Sequence, residues 1–202
     1  MAPPGLLWVH IPDIFASQGI ESACRYKSTN PSADHPYLAL YHIKDLDFLT
    51  SAEFQAIPRT GTDYFPGPTH LCFDYAHFTS RIYEHIDTYE PDPVVSGPGK
   101  FIICPGLAPA RGTDADFNAW YSKEHYRTVS ECTGFVRTRR YRGADGGDPG
   151  LPLTLHEFDG ESLPEDELAK TAATEWAKRV LGGLEAKDVN YFTLIKAAGV
   201  SQ

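Results

Sequence analysis

The sequence predicts an α+β protein built from two copies of one βαββαβ unit, the first of which lacks most of its opening strand and helix. Three observations lead to this prediction. The two halves match each other at a fixed offset, strand-like runs alternate with helical periodicities in the second half, and only nine residues precede His10. With 202 residues, the chain is long enough for one large domain or two small ones.

The internal repeat is an ungapped match at an offset of 115 positions, which is the separation of His10 and His125. A His, a Gly, an Arg-Tyr-basic triplet and a Leu-x-Leu pattern shared at one offset indicate duplication followed by divergence. The matched segments beyond the histidines are Gly19-Ile20 with Gly134-Phe135, Arg25–Lys27 with Arg140–Arg142, and Leu38–Leu40 with Leu153–Leu155.

The second copy supplies the layout of the unit. Its first strand is predicted over Lys100–Cys104, a short apolar run bounded by Pro and Gly. A Thr-x-x-Asp pattern from Thr113 is a helix-start signature, and the helix stops before Gly134 with a histidine at its end. The residues that recur on one face of this helix are Phe117, Tyr121 and His125.

The remaining elements of the second copy complete a βαββαβ order, the ferredoxin-like split βαβ unit. A single helix is expected after the strands, with an apolar stripe that ends at a Gly-Gly pair. The elements are, in order, a strand over Phe135–Arg142, a turn-rich loop over Gly143–Gly150, a strand over Leu151–Phe158, a helix from Ser162 and Glu165 to Gly182, and a strand over Asp188–Ile195.

The first copy has less room at its start. The second copy has 25 residues between Lys100 and His125, so the nine before His10 cannot hold both a strand and a full helix. We therefore predict a first repeat over residues 1–90, a Pro- and Gly-rich linker over 91–99, and a complete repeat over 100–202. The elements predicted in the first copy are strands over Ile20–Lys27 and Tyr37–Ile43, a short helix near Thr50–Ile57, and a closing strand near Arg81–Thr88.

Charge and composition exclude several classes of function. The formal net charge of −9 repels phosphate backbones and anionic lipids, so we expect neither nucleic-acid nor membrane-surface binding. No apolar run is long enough for a membrane span, and Met1–Val9 lacks the pattern of a secretory signal. The four cysteines show no Cys-x-x-Cys spacing, and we expect reduced, buried thiols in a cytoplasmic protein.

His10 and His125 are the first candidates for chemistry, since each copy has one at the same position. Imidazole both takes and gives a proton near neutral pH, and Tyr121 lies four residues before His125 on the same helical face. The alternative is structural: each His caps a helix end and bonds a backbone carbonyl. The sequence leaves the two alternatives open.

Strand residues supply the other candidates. Tyr26 and Tyr141 follow an Arg at matching positions. One hypothesis is that their hydroxyls orient or protonate a carbonyl oxygen of a substrate; the alternative is that their rings pack in the core. Tyr41 and His156 match on the third strand, and a pocket role is one alternative for His156. The arginines beside these tyrosines, Arg25, Arg139 and Arg140, either grip a carboxylate or form ion pairs with the acidic surface. The remaining histidines show no ligand spacing, so no metal is predicted.

These residues resemble the EthD-like family of dimeric α/β barrels, and the chain is similar to tandem EthD-like proteins of filamentous fungi. The resemblance lies in Asp116–His125, Gly134-Phe135 and Arg139–Tyr141, with Val9–Asp13 and Arg25–Lys27 as the first-copy counterpart. It implies a small-molecule pocket between helices and sheet, lined in part by Trp120 and Arg140. It also implies that the helix-end His works with a Tyr as acid and base, which gives His125 with Tyr141 and, in the truncated copy, His10 with Tyr26.

The leading hypothesis is a cofactor-independent enzyme acting on a small, largely apolar, oxygenated substrate such as an aromatic polyketide. His125 would move a proton while Tyr141 or Tyr121 steadies the developing oxyanion, which suits isomerisation, cyclisation, dehydration or decarboxylation. A non-catalytic binding or scaffold protein and a cofactor-free monooxygenase are the alternatives. An intact tandem can close its own barrel and stay monomeric, whereas a first copy that lacks a strand exposes a sheet edge and favours a homodimer; the sequence leaves both open.

Overall fold

The computed structural model describes residues 19–57, 68–71, 74, 79–144 and 150–199. The chain forms two compact units. The first unit comprises Met1–Tyr26, Tyr37–Ser80 and Ile195–Gln202, and the second comprises Lys27–Pro36 and Arg81–Leu194. The repeat boundaries inferred from the sequence stay a prediction.

The first unit contains two neighbouring strands and a short helix. Strand β1 spans Ile20–Ser28, β2 spans Tyr37–Ile43, and helix α1 spans Ala52–Gln55 after a 3₁₀ turn. Four of the first five residues of β1 are buried, and the exposed one is Glu21. The Ser51 side chain caps α1 by accepting a hydrogen bond from the Phe54 amide at 3.1 Å. The strands and the helix predicted here are all present.

The second unit follows the predicted βαββαβ order, and the strand predicted near Arg81–Thr88 to close the first copy is present before it, within this unit. Strands β7, β4, β6 and β5 are hydrogen-bonded in that order, and β3 adds to the sheet outside β5. The β3–β5, β5–β6, β6–β4 and β4–β7 pairs are all antiparallel. The elements are β3 (Tyr83–Tyr89), β4 (Phe101–Pro109), α2 (Asp114–Trp120), a π-helical turn (Tyr121–His125), α3 (Tyr126–Ser130), β5 (Phe135–Gly143), β6 (Leu153–Phe158), α4 (Glu165–Thr171), α5 (Glu175–Gly182) and β7 (Leu184–Ala198).

The helix that carries His125 continues past this histidine. α2, the π-helical turn and α3 form one continuous helix from Asp114 to Ser130, so His125 does not lie at its end. Gly134 then begins the return to the sheet with a φ of +78°. A Cβ at this position would lie 2.8 Å from the Gly160 amide nitrogen, so both the dihedral and the close approach require glycine.

The single helix predicted after β6 is instead two short helices. α4 begins after Pro164 and not at a Ser162 cap, and it ends at Thr171. Thr174 then starts α5, because its side chain accepts a hydrogen bond from the Ala177 amide at 3.0 Å. A threonine in this role stabilises a helix start, which the apolar periodicity across the break does not reveal.

Side chains of the sheet divide between two faces, as strand alternation requires. One face lies against the helices and holds a core made of Leu107, Phe117, Trp120, Tyr121, Tyr126, Ala177 and Val180. On the opposite face, the buried Glu157 carboxylate pairs with Arg139 at 2.8 Å and with Arg137 at 3.5 Å. Arg137 also pairs with Glu90 and donates to the Gly97 carbonyl, so the Pro- and Gly-rich segment is tied to this face.

Within the residues that the structure describes, no helix is both long enough and apolar enough to cross a membrane.

Candidate active site

A cluster of five buried side chains joins the long helix to strands β5 and β6. Trp120, Tyr121 and His125 come from the helix, Arg140 from β5 and His156 from β6. All five lie on the helix-facing side of the sheet and are at most 9% exposed. The sequence selected each of these residues separately, and the structure brings them together; we refer to them as the His125 cluster.

The π-helical turn decides which helix residues reach this cluster. The Tyr126 amide donates to the carbonyl of Tyr121, five residues earlier, in place of the usual four. In an uninterrupted α-helix Tyr126 would lie roughly 180° around the axis from Phe117, nine residues earlier. The wider turn brings Tyr126 to the buried side, where it is 4% exposed. The sequence gives no signal for this, so Tyr126 was missed.

Three aromatic rings surround the His125 imidazole. The Trp120 ring stacks on it, with centroids 4.2 Å apart and planes 24° apart. The Tyr121 and His156 rings meet it edge to face at 5.1 Å and 5.3 Å. These contacts, together with the 9% exposure of the residue, exclude water from most of the imidazole.

His125 is held neutral and has a free nitrogen. Its buried Nδ1 has no hydrogen-bond partner, and because the helix continues past His125 the residue does not cap a helix end. Burial lowers the pKa of His125 well below its usual value of 6.5, and the nearby His156 and Arg140 lower it further. The imidazole is therefore neutral at neutral pH and can accept a proton, but its lowered pKa makes it a weaker base than a free histidine.

His156 is neutral for the same reason and has a fixed ring. Its Nδ1 lies 2.8 Å from the Thr138 hydroxyl on the neighbouring strand, a contact that either atom can make as donor depending on the tautomer. Burial, with a further effect of Arg140, lowers the pKa of His156 to about 3. Thr138 is therefore a positioning residue that the sequence did not single out.

Arg140 brings a positive charge into this buried site. Its guanidinium lies over the Tyr121 ring at 3.9 Å and over the Phe117 ring at 5.5 Å. Nη2 donates to the Asn118 side-chain oxygen at 2.8 Å. Among the described residues, no carboxylate lies within ion-pair distance of Arg140, in contrast to Arg139 beside it.

Tyr121 and Tyr126 each use their hydroxyl in a hydrogen bond. The Tyr121 hydroxyl lies 3.0 Å from the Thr154 hydroxyl, and burial raises the pKa of Tyr121. The Tyr126 hydroxyl donates to Asp87 on β3 at 2.8 Å. Burial and then this hydrogen bond raise the pKa of Tyr126, while the nearby Arg140 opposes the increase. Both phenols therefore stay protonated at neutral pH.

Tyr141 lies outside the His125 cluster, which corrects the pairing of His125 with Tyr141. It follows Arg140 on β5, so alternation turns it to the opposite face of the sheet. There it meets the His85 ring edge to face at 5.6 Å. Burial raises the pKa of Tyr141 to about 12, with smaller effects of Arg139 and Glu157, both on that face.

The first-copy candidates do not form a comparable cluster among the described residues. His10 lies outside the part of the chain that the structure describes. Tyr26 is buried in β1 at 2% exposure. The Tyr41 hydroxyl accepts a hydrogen bond from Arg25, whose guanidinium also lies 4.9 Å from the Tyr41 ring centroid. Tyr41 is thus engaged by Arg25 within the first unit.

A metal centre finds no support in the described part of the chain, where no group of three His, Cys, Asp or Glu side chains is placed to hold an ion. The two histidines of the His125 cluster are accompanied by an arginine, which disfavours a cation there.

Comparisons with known proteins give one relative in sequence and several in fold. No family model matches the chain. Core atranone cluster (CAC) protein 1 of Stachybotrys chlorohalonatus (strain IBT 40285) is 32% identical over 167 residues, which cover 74% of this chain and 70% of that protein.

The similar solved structures are of the dimeric α/β-barrel type. An anthrone oxidase-like protein aligns with a TM-score of 0.58 at 14% identity, covering 93% of this chain and 82% of that one. A candidate monooxygenase from Fusobacterium nucleatum subsp. nucleatum ATCC 25586 aligns with a TM-score of 0.55 at 10% identity, covering 91% and 80%. At such identities the likeness concerns the fold alone.

Proposed function

This chain belongs to the same protein family as core atranone cluster protein 1, and on that premise we propose that it is a cofactor-independent enzyme that moves a proton on a small, largely apolar, oxygenated substrate. The observation that carries the proposal is the state of His125. A buried imidazole that is neutral, walled by aromatic rings and without a partner at Nδ1 is costly for folding alone, and buried groups with a shifted pKa cluster at functional sites.

The chemistry begins with a carbon acid next to a carbonyl group. His125 accepts the proton as the C–H bond breaks, and the electron pair moves onto the carbonyl oxygen to give an enolate. The new imidazolium and the enolate carry opposite charges, so the buried site stays balanced during the step. Return of the proton to another position completes an isomerisation, and the enolate can also lead to cyclisation, dehydration or decarboxylation.

The enolate oxygen needs donors, and the His125 cluster supplies two. Arg140 offers a guanidinium that no described carboxylate neutralises. The Trp120 indole nitrogen is a buried donor without an acceptor. Donors preorganised in a dry site stabilise a developing oxyanion far more than they would in water. Tyr121, held by Thr154, contributes its ring as the surface on which Arg140 rests.

A second candidate function is cofactor-free oxygenation. The fold likeness to an anthrone oxidase-like protein and to a candidate monooxygenase favours it. The same carbanion formed by His125 would react with dioxygen, and the hydroperoxide formed would lose water to leave a new carbonyl. One C–H₂ group and one O₂ thus give one C=O group and one water. Both candidates share the proton-transfer step and differ in what consumes the enolate.

Anthrone is a suitable probe because it has an acidic CH₂ group conjugated with a carbonyl. Under nitrogen in D₂O, the enzyme should accelerate deuterium incorporation at this carbon, measured by NMR against a protein-free sample. In air, oxygen uptake with formation of the quinone would support the oxygenase. His125→Gln should abolish the acceleration, whereas the exposed His85→Gln on β3 is the matched control. Unchanged exchange in His125→Gln would contradict the mechanism and favour a non-catalytic binding role.

We also propose that the chain consists of two EthD-like repeats. Strands β1 and β5 are both nine residues long and begin at Ile20 and Phe135, which are separated by the same 115 positions as the sequence match. β2 and β6 follow them at closely similar spacing. An experimental structure tests the repeat, since the β1–β2 backbone should superpose on β5–β6 without a gap.

A further inference from the structure

We infer that Arg140 is the anchor for a singly charged oxygen anion on the substrate, a carboxylate or an ionised phenol. The inference names the substrate class of the site above and rests on the proposed function for placing that substrate beside His125. It depends on the partners of Arg140 and on two buried polar atoms of the His125 cluster that have no hydrogen-bond partner. It also depends on a comparison with the other arginines of β5, which pair with carboxylates.

Burial of the Arg140 charge is the first argument. The side chain is 8% exposed, and the described residues offer it the Asn118 amide oxygen, the Tyr126 hydroxyl and two ring faces, but no carboxylate within ion-pair distance. A buried charge is costly unless an opposite charge accompanies it. A guanidinium has five N–H donors, and the bonds to Asn118 and Tyr126 do not use all of them, so donors remain for a ligand. An anionic ligand would complete the pair that the fold leaves open.

The neighbouring arginines show that this arrangement is specific to one position. Arg137 and Arg139 on the opposite face of β5 both pair with Glu157. Arg142, on the same strand, forms a two-pronged ion pair with Glu84. Among the described residues, each other arginine of β5 thus has a carboxylate partner and Arg140 has none.

The nearest acidic group to consider is Asp87, whose backbone is paired with Arg140 in the sheet. A register shift between His85 and Asp87 turns the Asp87 side chain toward the helices. There it accepts a hydrogen bond from Tyr126, so a phenol stands between the carboxylate and the guanidinium. Asp87 therefore acts on Arg140 indirectly and holds Tyr126 in place as one wall of the site.

Two unpaired atoms in the His125 cluster provide an independent argument. The Trp120 indole nitrogen and His125 Nδ1 are both buried without a hydrogen-bond partner. Buried polar groups normally have one, and two unpaired atoms in the same cluster as a guanidinium without a carboxylate partner point to a missing group. An oxygen anion can accept from both Arg140 and the indole, whereas a cation or an apolar ligand would satisfy neither.

An anion at Arg140 would also prepare the base. The positive charge of Arg140 helps to keep His125 and His156 neutral. When a negative group neutralises that charge, the His125 imidazole becomes a stronger base at the moment when substrate is present. Binding and proton transfer are then coupled through one arginine.

The test compares ligands of one shape and different charge. We would measure the binding of 1-naphthoate and its neutral amide, 1-naphthamide, to the full chain by titration calorimetry. The wild type should bind the carboxylate at least about tenfold more tightly, as expected for a charge-assisted pair. 4-Nitrophenol provides the phenolate arm, because its visible absorption would show the ionised form in the site at a pH where the free phenol is protonated.

Variants assign the preference to Arg140. Arg140→Gln should remove it, Arg140→Lys should keep part of it, and the exposed Arg142→Gln is the matched control that should leave it unchanged. Equal binding of naphthoate and naphthamide by the wild type overturns the inference without reference to any variant. Loss of the preference in Arg142→Gln as well would assign it to general surface charge and also overturn it.

The outcome is separable from that of the proposed function. Naphthoate binding requires no turnover, and His125→Gln should retain the carboxylate preference while losing exchange on anthrone. If His125→Gln kept full exchange activity and the wild type preferred the carboxylate, the assignment of His125 as the base would be refuted and the anion site supported. If exchange depended on His125 but the wild type showed no carboxylate preference, the base would be supported and the anion site refuted.

Discussion

The His125 ring stacks on the ring of Trp120, five residues earlier in the same helix, with centroids 4.2 Å apart. In an α-helix, residues five apart point roughly 140° away from each other around the axis, so their rings cannot stack. The π-helical turn over Tyr121–His125 removes this separation. The stacked indole and the proposed base therefore come from one helix, and a single local irregularity brings them into contact.

Deletion of Ser122 should restore an α-helical register and separate the His125 cluster. Ser122 is exposed within the π-helical turn, so its removal costs no core contact, but it rotates every later residue of the helix. We expect loss of exchange activity on anthrone and a lower melting temperature, read with the near-ultraviolet circular dichroism of the tryptophans. Ser122→Ala keeps the register and should behave as wild type; an active deletion variant would show that the turn is dispensable.

The stability of the protein should fall as pH drops below about 6.5. The pKa of His156 is about 3 in the folded protein and near 6.5 in the unfolded chain, so between these values the unfolded state binds more protons. The free energy of unfolding should therefore decrease by about 1 kcal/mol per pH unit for each such histidine. Urea titrations from pH 7 to 4 measure this slope. His156→Gln should flatten it, and an unchanged slope would contradict burial of a neutral His156.

Arg140→Met should stabilise the protein while abolishing the carboxylate preference. Removal of a buried charge without an ion-pair partner relieves a desolvation cost that exceeds the contacts with Tyr121 and Asn118, and we expect a gain of about 1 kcal/mol. Arg139→Met is the comparison on the same strand. It removes a partner from the buried Glu157 and should destabilise by about 1–3 kcal/mol. Thermal unfolding distinguishes the two, and equal losses would argue against a functional Arg140.

Tyr141→Phe and Tyr121→Phe decide which tyrosine belongs to the site. Tyr141 lies on the face of the sheet away from His125, so removal of its hydroxyl should leave exchange on anthrone within about twofold of wild type. Tyr121→Phe removes the bond to Thr154 and loosens the ring beneath Arg140, for which we expect a loss of about tenfold. A larger effect at Tyr141 would restore the pairing that the sequence suggests.

The sequence by itself determined the order of elements and the chemical groups available. The strands over Ile20–Ser28 and Tyr37–Ile43 and the βαββαβ order follow from apolar runs and turn residues that act locally. It also marked Trp120, Tyr121, His125, Arg140 and His156, since each stands in a periodic or repeated pattern. The prediction of a single helix after β6 was wrong. The apolar periodicity continues across the break, but the Thr174 side chain caps the start of a second helix there.

Only the tertiary structure decided which of these groups meet. Arg140 and Tyr141 are adjacent in sequence, yet strand pairing places one beside His125 and the other on the opposite face of the sheet. Tyr126 reaches the site because of the π-helical turn, and Asp87 because of the register shift in β3. Neither irregularity leaves a periodic pattern in the sequence. The neutral state of His125 likewise depends on burial by residues distant in the chain, because desolvation is a property of the packed site and not of the residue.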